Sequence, residues 1–212
     1  MNFLFVTNVV KKRRFLFNSS FLKKEIKVTI TIYSKGNGVI ILWNIFEVVV
    51  ILIIITMAIL IHEMGHAVAV LLRNKKAKAD IYIGSLSKEK KLKISLGRIT
   101  FYLTIAFSGF CCVSNPEELQ PSTNKQRLIF DAGGPIASLL GFVTLYFISH
   151  LTSGVLGIIF NRVAVISLIL FFTSTIPYTY PSFLRHLGGF HSDGLRILNL
   201  LKEIRKDHKV VS

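Results

Sequence analysis

The chain has 212 residues, a length that fits one domain. Hydrophobic residues make up 51% of it against 17% charged, and the mean hydropathy is +0.56, which excludes a disordered chain and disfavours a soluble globular enzyme. Lys and Arg number 26 against 11 Asp and Glu, a formal +15; beside such long apolar runs these cations are expected to face anionic lipid headgroups rather than nucleic acid.

Residues 1–38 read as a basic segment lying on the membrane surface. Lys11, Lys12, Arg13 and Arg14 are followed by Lys23, Lys24 and Lys27, and residues 28–33 suit a short strand. A basic cluster followed by more basic residues is the wrong order for a secretory signal peptide. Residues 39–72 are almost continuously apolar, more than the 20 or so that a tilted span needs. Asn44, Glu47 and the group His62-Glu63-Met64-Gly65-His66 interrupt the run, and nothing local explains Glu47. Alternation at Ile81, Ile83 and Leu86 and then at Leu92, Ile94 and Leu96, around the lysine-rich stretch 88–91, predicts a β-hairpin over about 80–97. Residues 100–113 are too short for a span and suit a re-entrant or interfacial segment. Phe101, Tyr102, Tyr178 and Tyr180 suit a membrane-interface belt.

Two further spans are expected at about 128–151 and 155–176, joined by the uncharged Thr152-Ser153-Gly154. A short amphipathic helix follows, with Leu195, Leu198 and Leu201 on one face, then a basic tail at 206–212. The expected fold is an all-α polytopic membrane protein of the cell membrane. It has three core transmembrane helices and a small cytoplasmic-side β-hairpin, within an embedded core at 39–205. Nine Lys and Arg between residues 73 and 98 put the hairpin on the cytoplasmic side. The N-terminal cluster opposes that orientation, since a single span would place it outside. Cys111 and Cys112 are the two cysteines, too few for a disulfide framework or a four-sulfur zinc site.

The chemistry concentrates at His62 and His66. Four residues apart on a helix, both imidazoles project from one face, where two neutral nitrogens can bind the same zinc and Glu63 can serve as base for a metal-bound water. Ionisable residues within a span are costly, and three in five residues need a ligand to satisfy them. A catalytic zinc keeps three protein ligands, so a third is required. Candidates are Asp193, Asp131, Glu117, Glu118, His150 and His191. Asp193 is favoured because it opens the last helix, where the backbone dipole keeps a carboxylate ionised. Its alternative role is an ordinary helix cap. Asp131 suits an interfacial cap, and Gly133-Gly134-Pro135 a close helix contact.

These motifs, in this order over about residues 40–205, resemble the site-2 protease family (M50) of intramembrane zinc metalloproteases. Besides His62-Glu63-Met64-Gly65-His66, Ala132-Gly133-Gly134-Pro135-Ile136-Ala137 resembles the family's small-residue Gly-Pro signature, and Ser192-Asp193-Gly194 its Asp-Gly motif. The resemblance implies that His62, His66 and Asp193 bind Zn2+ and that Glu63 is the catalytic base. It implies a membrane-spanning or hydrophobic peptide substrate within the lipid bilayer. Ser138 and Ser174 stand where the family commonly has Asn, and the gap from Pro177 to Asp193 is longer than in better-known members. No inserted domain is evident, so a minimal core is expected. Alternatives are a catalytically degenerate member acting as chaperone or immunity factor, and a metal-handling membrane protein.

Overall fold

The computed structural model describes the backbone of residues 19–183 and 187–211, with side chains within 44–183 and 187–206. Contacts divide the chain into residues 1–48 and residues 49–212. The described part of the first unit is helix, so the strand expected at 28–33 is helical; the cluster Lys11 to Arg14 lies outside the described residues. Helix α1 is Ser19–Arg73. There follow β1 (Ala79–Ile83), β2 (Leu92–Leu96), β3 (Ile99–Leu103), β4 (Gly109–Val113), a single 3-10 turn, and helices α2 (Asn124–Leu151), α3 (Gly154–Thr175) and α4 (Asp193–Val211). Three helical stretches, Asn44–Arg73, Asn124–Leu151 and Gly154–Thr175, are long and apolar enough to cross a membrane. Glu47 is exposed on the first of them.

The expected hairpin is part of a four-stranded sheet of order β2-β3-β1-β4, so the molecule is mostly helical rather than all-α. β1 and β2 do not pair with each other. β1 is central, parallel to β3 (Ala79 opposite Ile99) and antiparallel to β4 (Tyr82 opposite Phe110). The tight turn is Gly97-Arg98 between β2 and β3, where Gly97 takes φ +58°. The lysine-rich stretch at 88–91 belongs to a longer excursion that returns the chain beside β1. Residues 100–113 thus hold two strands, and Phe101 and Tyr102 are buried in the sheet instead of forming an interface belt.

One sheet face packs on α1: Ile59, Ala67 and Val70 meet Ala79, Ile81, Ile83, Ile99 and Phe101. Arg98 then locks the sheet to the helix end, donating to the carbonyls of Leu71 in the last turn and of Asn74, Lys75 and Ala77 just beyond it.

Small residues let the helices approach. A β-carbon at Gly65 would overlap the carbonyl oxygen of Gly133, so α1 and α2 touch backbone to backbone. Ile54 and Ala58 pack with Val163 of α3. α2 opens with a capping box, Thr123 Oγ1 accepting from Gln126 N–H and Gln126 Oε1 accepting from Thr123 N–H.

α4 is oriented differently from its leucine pattern. Leu200 is buried while Leu198 and Leu201 are exposed. Asp193 and Leu200 are seven residues apart and share a face, so the inward turn of Asp193 sets the rotation of the helix.

Candidate metal centre

One helical turn separates His62 and His66, and both point into the protein with Glu63 between them in sequence; all three are buried. Asp193 reaches them from the first turn of α4. The Nε2 atoms of His62 and His66 lie 3.3 Å apart, and Asp193 Oδ2 lies 3.1 Å from the first and 3.5 Å from the second. For a tetrahedral ion with ligand bonds of about 2.0–2.1 Å, neighbouring ligand atoms stand about 3.3 Å apart. The triangle is therefore the size such an ion requires, and among the described residues these three form a group able to hold a metal.

The surrounding contacts orient the donors. His66 Nδ1 donates to the Phe130 carbonyl at 2.7 Å, which leaves a lone pair on Nε2 for the centre. His62 Nδ1 lies 2.9 Å from Ser138 Oγ, so the serine at the Asn position of the resemblance supports an imidazole. A β-carbon at Gly134 would stand 2.6 Å from His62 Nε2 and closer still to His66 Nε2, so the space between helix α2 and the two imidazoles depends on glycine.

Ser192, not Asp193, caps α4. Its hydroxyl donates to the Ile176 carbonyl at 2.7 Å and accepts from the N–H groups of Tyr178 and Leu195. The cap ties the end of α3 to the start of α4 and leaves the Asp193 carboxylate free to face the histidines. Gly194 permits the approach, since a β-carbon there would overlap the Thr175 carbonyl oxygen. Burial pushes the Asp193 carboxyl up, but its bonds to His62 and His66 outweigh that and hold it well below the usual carboxylate range. The anion is the form that a metal ligand needs.

The other proposed third ligands are elsewhere. Asp131 is paired with Arg196. Glu117 and Glu118 are exposed, the latter accepting from Asn115 Nδ2 at 2.8 Å. His150 is exposed and bonds within its own turn to Tyr146. His191 is exposed beside Thr179.

His62, Glu63, His66 and Asp193 line a cavity of about 110 Å³. Its opposite wall is Phe110 from β4 with Tyr180, Leu187 and Phe190 from the loop before α4. Gly109 brings β4 close: a β-carbon there would stand 2.7 Å from Glu63 Cγ. A second cavity of about 410 Å³, lined by both polar and apolar side chains, shares Phe130, His191 and Arg196 with the first and extends to Gln126, Asn199 and Glu203.

The model of peptidase family M50 matches residues 50–209. The chain belongs to that family, the site-2 proteases. No curated protein matches it. Family membership makes a metalloprotease the expected activity of this M50 core, and the matched region contains every residue of the centre.

Sequence reasoning missed Phe130, whose carbonyl no pattern advertises, and Arg196, whose place three residues after Asp193 was a readable ion-pair spacing. Phe110 and Tyr180 had no sequence signal for the cavity, because their approach to Glu63 is made only by the sheet and the loop.

Proposed function

We propose that the chain is a multi-pass intramembrane zinc endopeptidase of the cell membrane, hydrolysing peptide bonds of membrane-spanning or hydrophobic peptide substrates. The observation that carries this reading is the convergence beside Glu63 of His62 Nε2 and His66 Nε2, on a helix apolar enough to cross a bilayer, with Asp193 Oδ2 from the first turn of α4.

Zinc held by these three residues would supply a Lewis acid that polarises the scissile carbonyl and lowers the pKa of the attacking water toward about 7. The Glu63 carboxylate takes the proton of that water and returns it to the leaving nitrogen. Phe110, Tyr180, Leu187 and Phe190 line the cavity beside Glu63, and the neighbouring cavity that shares Arg196 is the route by which water would arrive. In this reading the sheet lies on the cytoplasmic side, which the nine Lys and Arg between residues 73 and 98 favour.

A helical substrate must unwind before its peptide bond can be reached, and the sheet offers somewhere to put the extended segment. β4 is an edge strand. In its register with β1, Phe110 and Cys112 bond to Tyr82 and Asp80, which turns the N–H and C=O groups of Gly109, Cys111 and Val113 outward. An extended peptide added along that edge would run beside Glu63.

The test is cleavage of a panel of membrane-tethered reporter peptides by purified protein in detergent. Cleavage should cease with a zinc chelator and return on adding Zn2+. Cleavage that persists after all metal has been removed would refute the reading.

A further inference from the structure

Arg196 occupies a position that the proposed hydrolysis does not use. It lies three residues beyond Asp193 on α4, with Nη1 3.6 Å from Asp193 Oδ1. Its Nη2 pairs with Asp131 Oδ1 on α2, and the guanidinium sits 5.4 Å from the centre of the Phe130 ring. The two oxygens of Asp193 are thus divided: Oδ2 faces both histidines, Oδ1 faces Arg196. Phe130, beneath the guanidinium, is the residue whose carbonyl holds His66 Nδ1.

We propose that Arg196 is a positioning residue that, anchored on Asp131, sets the orientation of the Asp193 carboxylate toward the metal centre. This rests on the reading of His62, His66 and Asp193 as metal ligands. Asp131 is buried, 6% exposed, and a buried carboxylate left alone is costly; its partner is a cation from the very helix that carries the third ligand. A planar guanidinium can engage two carboxylates on different helices at once, whereas an ammonium is a single point charge with no fixed fork. Arg196 therefore fixes the rotation of the first turn of α4 and, by occupying Oδ1, reserves Oδ2 for the histidines. Outer partners of this kind govern the affinity of a metal site nearly as much as the ligands do. A plain staple between α2 and α4 would affect folding stability but not the centre.

Four full-length proteins separate these roles: wild type, Arg196→Gln, Arg196→Lys and Asp131→Asn, purified in detergent. Zinc affinity is read by chelator competition, ligand geometry by the visible absorption of the Co2+ form, and folding by thermal unfolding of the metal-free protein. Arg196→Gln should bind zinc about 10- to 100-fold more weakly and shift the Co2+ spectrum, with Arg196→Lys recovering part of the loss. Asp131→Asn, nearly isosteric, should lose affinity by a smaller factor and decides the matter if Arg196→Gln does not fold. Wild-type affinity and an unchanged Co2+ spectrum in Arg196→Gln, or in Asp131→Asn where that variant decides, would overturn the assignment and leave the metal site standing. Failure of wild type to bind zinc would overturn the metal site and this assignment together.

Discussion

Gly134 on α2 lies against the imidazole of His62, where a β-carbon would stand 2.6 Å from Nε2. Overlap at that distance has to displace either the ring or the helix. Gly134→Ala is expected to weaken zinc binding by roughly 10- to 100-fold, the range that disturbing the surroundings of a metal site costs. Chelator competition measures it, with circular dichroism reporting that helix content is retained. Unchanged affinity would mean that the approach of α2 does not shape the centre.

Gly65 and Gly133 make the contact that brings α2 to the histidines at all. Gly65→Ala forces a methyl into the Gly133 carbonyl, and overpacking of this kind costs about 1–3 kcal/mol. Reversible unfolding in detergent and denaturant is the measurement. A loss below about 0.5 kcal/mol, ordinary for a surface substitution, would show that the helices can separate there without cost.

Much of this was legible beforehand, for definable reasons. His62 and His66 declare themselves because helical spacing alone puts residues four apart on one face. Asp193 was readable from its place at a helix start, although Ser192 does the capping there. The three helices announce their apolar runs. Sheet order was not legible, because Lys88, Lys90 and Lys91 look like a turn, while the turn that forms depends on the φ of Gly97. Arg196 and Phe130 escaped, and Ser138 was named without its bond to His62, because each acts across helices through contacts that no local period encodes.

The free edge of β4 can be blocked without touching the ladder to β1. Cys111 turns its N–H outward in this register, so Cys111→Pro removes a donor from the edge while the pairs at Phe110 and Cys112 remain. Reporter cleavage should fall by about tenfold or more, the equivalent of one lost hydrogen bond to the bound strand, with zinc content unchanged. Cleavage at the wild-type rate would remove β4 from substrate binding.

Cys111 and Cys112 are free thiols, half-buried in the sheet. Burial pushes both up from the ordinary thiol range, and the negative charge of Glu63 adds to the effect at Cys111. A raised pKa leaves less thiolate at neutral pH, so alkylation should be slow at pH 7–8 and accelerate only well above the usual thiol pKa of about 8.5. Mass spectrometry after timed iodoacetamide treatment at several pH values checks this. Alkylation at pH 7 as fast as that of a free cysteine would contradict the burial.

The most direct measurement compares wild type with Glu63→Gln for two quantities on the same preparations: bound zinc, and cleavage of membrane-tethered reporter peptides. Glu63 lines the cavity with the three residues able to hold a metal but is not one of them, so the amide should leave zinc in place. The expected result is one zinc per chain in both proteins and cleavage by wild type alone, reduced by about 100-fold or more without the base. Cleavage by Glu63→Gln at the wild-type rate, or no zinc in the wild-type protein, would contradict the account.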